Sequence, residues 1–400
     1  MEVYLDNSAT TKITDGVRDI MLKVMSEDYG NPSSLHVMGV NAERHMTESA
    51  QKIADCLKVN PKEIVFTSGG TEANNLALIG AVMAYHRVGR HIITTRIEHP
   101  SVYQPLLYLE ENDYKVDFIP VDSAGKIIKD KLYESIKEDT LLVSIMYVNN
   151  EIGSVQDIEE IAREIKSVKN DIILHVDAVQ AFGKYRIYPK RIGIDLLSIS
   201  GHKIHGPKGI GALYVSDSIR LKPILFGGGQ QRGLRSGTEN VPAIAGLGQA
   251  AQELYENFDQ KINKMYSLKQ HFIREISRLD DVRINGLPVE CTSDRIKGEY
   301  LPEQIMKTAP HIISVSFRGV RSEVLLHALE ERGIYVSTGS ACSSRHPKPS
   351  ATLEAIGIPM DMINSTIRFS MSDTTTKEEM DYTVEQIRDI LPHLRRFTRR

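Results

Sequence analysis

Between residues 63 and 215 the chain repeats one pattern: a short apolar, β-branched run, a polar break, and a stretch whose apolar residues recur at helical spacing. Seven such runs stand at 63–67, 91–95, 115–119, 141–147, 172–176, 195–199 and 210–215. They are apolar nearly throughout, without the alternation of a strand that faces water on one side, so both faces of the sheet must be covered. Helical patterns at 72–87, 101–111 and 158–168 supply the cover. The expected fold is therefore α/β with a mainly parallel seven-stranded sheet, in which ligands gather at the strand carboxyl ends.

The 400 residues, 41% of them hydrophobic, exceed what one core usually holds, roughly 250–300 residues. A second, smaller α+β domain is expected from strand patterns at 311–317 and 366–370 and helical patterns at 323–332 and 377–390. Between the two, residues 241–279 read as one long helix leading out of the first domain, with no proline after Pro242. The expected division is a large domain over 13–258 and a small one made of 1–12 with 259–400.

A formal net charge of −3 gives no field that would recruit nucleic acid or anionic lipid, so the ligand is expected to be small. Cys56, Cys291 and Cys342 are far apart with no paired spacing, which argues against a disulfide framework and a zinc knuckle and suits a reducing cytoplasm. The first residues lack the pattern of a secretion signal, and no apolar run nears the ~18 residues a membrane span needs, so a cytoplasmic protein is expected. The basic end, Arg395 to Arg400, is either a solvated helix terminus or a contact for RNA or a partner protein.

The strand ends carry the chemistry. Lys203 follows the run 195–199, an amine placed where a carbonyl ligand could be held as an imine. Asp177 ends the run 172–176; it is either a helix cap or the partner of a protonated ring nitrogen. Gly69-Gly70-Thr71 joins a strand to a helix, where Thr71 is either an N-cap or, with the first helical amides, a phosphate donor; Ser200 and His202 beside Lys203 are further donors. Amine, ring acid and phosphate cradle together specify pyridoxal 5'-phosphate. Gln180 is placed to reach the ring's phenolic oxygen; His99 either stacks on the ring or is solvated, and Asn150 has the same two readings. Arg368, a charge in a strand pattern, is either a clamp on an amino-acid carboxylate or half of a surface ion pair. Cys342 lies in a Ser- and Gly-rich segment followed by Arg345, His346 and Lys348, which would favour a thiolate; Cys56 and Cys291 have no such setting.

With these residues the chain resembles the cysteine desulfurases of the NifS/IscS type, in the class V branch of the fold-type I pyridoxal-phosphate enzymes. The resemblance runs through Tyr4 to Thr11, Gly30 to His36, Glu98 to Ser101, Asn149 to Gly153, His175 to Gln180, Ser200 to Lys203, Arg235 to Asn240 and Gly339 to Cys342. It implies that Lys203 holds the cofactor, Asp177 meets the ring nitrogen, Gln180 and Asn150 address the phenolic side, and His99 stacks on the ring. It further implies that Gly70, Thr71, Ser200 and His202 bind the phosphate, with Thr238 added from the other subunit of a homodimer. Arg368 would bind the carboxylate of L-cysteine, with Asn150 also on the substrate, Lys203, His99 and Cys342 would be catalytic, and Cys342 would carry the sulfur as a persulfide to an iron–sulfur scaffold or a tRNA-thiolation enzyme. A class V aminotransferase or related lyase is the alternative; it would need Lys203 and Asp177 but not Cys342.

Overall fold

The structure is a computed structural model and describes residues 1–287, 300–338 and 349–398. Cys291 and Cys342 lie outside the described residues. The strands are Val3–Tyr4 (β1), Ile64–Thr67 (β2), His91–Thr95 (β3), Lys115–Ile119 (β4), Thr140–Met146 (β5), Ile173–Asp177 (β6), Leu196–Ser200 (β7), Gly211–Val215 (β8), Val282–Asn285 (β9), Ile312–Phe317 (β10), Ile334–Tyr335 (β11), Ser337–Thr338 (β12) and Thr366–Ser370 (β13).

Seven of them form one sheet in the order β2-β8-β7-β6-β5-β3-β4. All pairings are parallel except those of β8, which runs against both β2 and β7. Every residue of β3, β5, β6 and β7 is buried, as the unbroken apolar runs require for a sheet covered on both faces. The order of the strands reverses direction between β3 and β5, and there the two following loops part and open a crevice.

A second sheet, β12-β13-β10-β9, is antiparallel throughout, and β1 pairs in parallel with β11. This part has its own core, in which the rings of Phe272 and Phe317 lie 5.0 and 6.4 Å from that of Phe369. Such ring pairs contribute about 0.5–1.5 kcal/mol each beyond the area they bury. The N-terminal segment joins the two parts: Val3 N donates to Gly333 O (2.8 Å), Asn7 N to Ser370 O (3.1 Å) and Thr11 N to His202 O (2.8 Å).

The single helix expected over 241–279 is two. Val241–Tyr255 packs Ala243, Leu247 and Leu254 into the core under the large sheet, whereas Phe258–Ile276 packs Met265, Phe272 and Ile276 into the second core. Glu256 is extended and Asn257 is left-handed at φ 52°, which turns the chain from one core to the other. Asparagine tolerates that conformation, and apolar spacing carries no sign of one such residue. The last helix, Lys377–Thr398, runs on past the expected 390, and Arg395 donates to the carbonyls of Arg318 and Asp280, so its end is anchored. Among the described residues no helix is long and apolar enough to cross a membrane.

Candidate active site

The crevice is a cavity of about 580 Å³, lined by residues that follow β2, β3, β5, β6 and β7 and by Arg368 of β13. One wall begins where β2 passes into the helix Gly70–Tyr85. Gly69 stands at φ 155°, ψ −178°, a region open essentially to glycine. A Cβ on Gly70 would come within 2.7 Å of Val179 Cγ2, so the helix can start this close to the ends of β6 and β7 only with a glycine there. Gly69 makes no side-chain cap bond and Thr71 lies within the first turn, so Thr71 is not the cap. The first-turn amides, Thr71, Ser200 and His202 are thus left for an anion. Burial, with Lys203 and Lys208 adding, pushes His202 down to about 4, which makes it a neutral donor at neutral pH.

Asp177 ends β6 with its carboxylate buried and held on both oxygens: Oδ1 accepts from Val179 N (2.9 Å) and Oδ2 from Asn74 Nδ2 (2.8 Å). Asn74 Nδ2 also donates to Ser101 Oγ (2.8 Å), which leaves the Ser101 hydroxyl hydrogen for His99 Nδ1, 2.8 Å away. His99 caps the helix Pro100–Glu110, Nδ1 also accepting from Ser101 N, so it is a fixed ring and not a solvated one. Burial lowers its pKa against the pull of Asp177, and the neutral ring carries its proton on Nε2. Beside it Glu98 is buried; Oε1 accepts from Thr95 Oγ1 (2.8 Å) and Met146 N (3.0 Å), and Oε2 has no partner among the described residues. Burial, with a smaller push from Asp177, raises its carboxyl to about 8.

Lys203 lies in a turn of 3-10 helix after β7, and its Nζ donates to Ala9 O (2.8 Å) and to Ser8 O. Gln180 Nε2 donates to the same Ser8 carbonyl, at 3.0 Å. Opposite, Arg368 is only 7% exposed, so a surface ion pair is not what it forms. Its Nη2 donates to Asp6 Oδ1 and its Nη1 to Asn150 O, both at 2.9 Å, while Nε has no partner among the described residues. A guanidinium fixed at two corners, with N–H groups left over, suits a carboxylate ligand. The Asn150 side of the cavity thus meets Arg368 through its backbone carbonyl.

The cavity brings together Gly70, Thr71, His99, Asn150, Asp177, Gln180, Ser200, His202, Lys203 and Arg368, all named from the sequence. Thr238 is exposed and does not line this cavity. Cys342 lies outside the described residues. Cys56 is half-buried, and burial pushes its thiol up to about 12, which leaves it inert. Sequence reasoning missed Asn74, Ser101 and Asp6. Asn74 had a visible signal, a polar residue among Ala73, Leu76 and Ala77 on the buried side of a helix.

An amine, a fixed carboxylate, a glycine-bared helix start and a guanidinium in one cavity fit an aromatic aldehyde phosphate bearing an amino-acid ligand, and the gap a Gly70 side chain would fill is part of that fit. Among the described residues no group of His, Cys, Asp and Glu is placed to hold a metal. The family model described as aminotransferase class V matches residues 3–383. This chain belongs to that family. It is similar to the cysteine desulfurase IscS of Dictyoglomus turgidum, with 40% identity over 395 residues, 98% of this chain and 95% of the relative. It is 39% identical to the cysteine desulfurase IscS of Methanosarcina thermophila over 393 residues, 98% and 93% of the two chains. Among solved structures it matches a NifS-like protein at TM-score 0.89 and 37% identity, covering 98% of this chain and 100% of that one. It also matches SspA in complex with cysteine at TM-score 0.78 and 33% identity, covering 94% and 100%. The fold is that of the NifS-like branch of the family.

Proposed function

We propose that this protein binds pyridoxal 5'-phosphate and acts as a cysteine desulfurase, converting L-cysteine and its own Cys342 thiol to L-alanine and a Cys342 persulfide. The observation that carries this is the placement of the Lys203 amine and the Arg368 guanidinium in one cavity with the buried, doubly held carboxylate of Asp177. Near-full-length similarity to cysteine desulfurases supports the choice of substrate.

Lys203 would hold the cofactor, Asp177 its ring nitrogen, Gln180 its phenolic side, and Gly70, Thr71, Ser200 and His202 its phosphate. Thr238 would come from the second copy in a homodimer. When bound, the cofactor supplies an electron sink for the charge left as the substrate loses its α-proton. Arg368 fixes the substrate carboxylate, and Asp6 and the Asn150 carbonyl hold Arg368 in place. The Lys203 amine would take the α-proton, and His99, neutral and locked by Ser101, would stack on the ring. The Cys342 thiolate attacks the substrate sulfur; the S–S bond forms as the C–S bond breaks, and the carbon keeps the electron pair and takes a proton. The persulfide then passes to an acceptor, an iron–sulfur scaffold or a tRNA-thiolation enzyme, in the cytoplasm. The large and small domains, 13–258 and 1–12 with 259–400, would carry Lys203 and Cys342 respectively.

Borohydride treatment of the protein saturated with the cofactor should fix a label at Lys203, and cysteine as sole substrate should yield alanine. Cys342→Ala should keep the bound cofactor and form no persulfide. Absence of the label, or normal sulfur release by Cys342→Ala, overturns the reading; amino transfer to a 2-oxo acid in place of alanine release favours the aminotransferase alternative.

A further inference from the structure

We infer that His311, immediately before β10 of the second sheet, is the residue that orients Gln180 toward the ligand cavity. The inference rests on the cofactor reading above and extends it to a residue outside the cavity wall.

The direction of the hydrogen bonds is forced from one end. Ser8 O is a backbone carbonyl and can only accept, so the Gln180 atom 3.0 Å from it is the amide nitrogen. The amide oxygen therefore points the other way, to His311 Nε2 at 3.2 Å. An oxygen there needs a donor, so the His311 hydrogen is on Nε2. Nδ1 has no partner among the described residues, consistent with a neutral ring whose single N–H is on Nε2. Burial pushes His311 well below its ordinary pKa, and Lys184, Lys269, Arg368 and Lys203 push in the same direction. The ring is thus a donor fixed in one tautomer. It is only 3% exposed, so the pair is shielded from bulk solvent.

The consequence lies on the other amide group. One Gln180 N–H is taken by Ser8 O, whose carbonyl also accepts from Lys203; the second N–H is left for the cavity that Gln180 lines. Without His311, the amide oxygen would be buried unpaired, and rotation of the amide would turn its oxygen toward the cavity or toward Ser8. Either outcome removes a donor from the ligand or places one carbonyl against another. His311 is a positioning residue and touches no reacting atom.

The test compares His311→Leu, His311→Gln, Gln180→Leu and the double variant His311→Leu/Gln180→Leu, each saturated with pyridoxal 5'-phosphate and followed by visible absorption across pH. His311→Leu should move the midpoint of the cofactor's titration upward by about half a pH unit or more and weaken cofactor binding roughly ten-fold, as the loss of one oriented donor implies. His311→Gln, which can present an N–H at similar reach, should restore most of both. In the Gln180→Leu background the His311→Leu change should have no further effect on midpoint or affinity. An unchanged spectrum and affinity in folded His311→Leu, or equal effects with and without Gln180, overturns the assignment. Should His311→Leu fail to fold, His311→Asn, too short to reach Gln180 with the Nε2 geometry, must show the same shift. If the wild-type protein takes up no cofactor, the reading of the site has failed instead, and the two failures are told apart by that control.

Discussion

Asn74 Nδ2 stands 2.8 Å from Asp177 Oδ2, on the buried side of a helix whose neighbouring inward positions are alanine and leucine. The amide holds Oδ2 as Val179 N holds Oδ1, so both oxygens are fixed and each keeps a lone pair for a further donor. Asp177 can then face a protonated ring nitrogen without swinging to find partners. Asn74→Leu keeps the volume and removes the donor. Cofactor affinity, followed by absorption in a titration of the apoprotein, should fall about 10- to 100-fold, the range for one hydrogen bond to a charged group, ~1.5–3 kcal/mol. Unchanged affinity would show that Asp177 needs no such support.

Gly70 meets a different constraint, one of space. Its missing Cβ would lie 2.7 Å from Val179 Cγ2 and 3.5 Å from Ser200 Cβ. Valine is stiff at χ1, so Gly70→Ala must push the helix start away from the strand ends at a cost of about 1–3 kcal/mol. Thermal stability and phosphate-ester affinity should fall together in Gly70→Ala. Both should recover in part in Gly70→Ala/Val179→Ala, which gives back the volume; failure to recover would place the cost elsewhere.

Glu98 gives a pH dependence with a definite sign. Burial holds its carboxyl up to about 8, whereas its ordinary value is 4.5. Between those limits the unfolded chain has released a proton that the folded protein keeps, so this stability is fully present below pH ~4.5 and is lost as pH rises through ~8. Glu98→Gln retains an oxygen for Thr95 and Met146 but has no proton to lose. Urea unfolding of both proteins from pH 4.5 to 8 should show the wild type losing a few kilocalories per mole relative to the variant. Parallel pH profiles would mean that Glu98 is ionised in the fold.

These residues also mark what the sequence could tell. The seven strands and the crevice at their ends were legible because burial on both faces leaves an unbroken apolar run, and because lysine, aspartate and arginine at or in strands are rare unless used. Asp6 and Ser101 were present in the motifs of the resemblance, yet nothing in a linear pattern says that Asp6 reaches Arg368, 362 residues away, or that Ser101 links His99 to Asn74. The break at Asn257 was hidden for the opposite reason: it is one local φ value inside a pattern that stays helical on both sides. Long-range pairing and single dihedral angles are set by tertiary packing, and a periodicity argument contains neither.

Lys269 shows how far from the cavity this packing is controlled. It is 2% exposed, and its Nζ donates to Thr308 Oγ1, Ala309 O and Ile312 O, each at 2.7 Å, so all its ammonium hydrogens are used. The segment it gathers, 308–312, carries His311. Lys269→Met keeps the length and apolar stem but leaves two carbonyls and a hydroxyl short of a donor, each costing about 1–3 kcal/mol when buried. Because the loss is local, hydrogen exchange of the 308–313 amides should accelerate far more than that of β6 or β7. The cofactor's absorption should shift in the same direction as in His311→Leu, since a loosened segment no longer presents its histidine to Gln180. Faster exchange with an unaltered spectrum would separate the lysine's role in the fold from any role in the site.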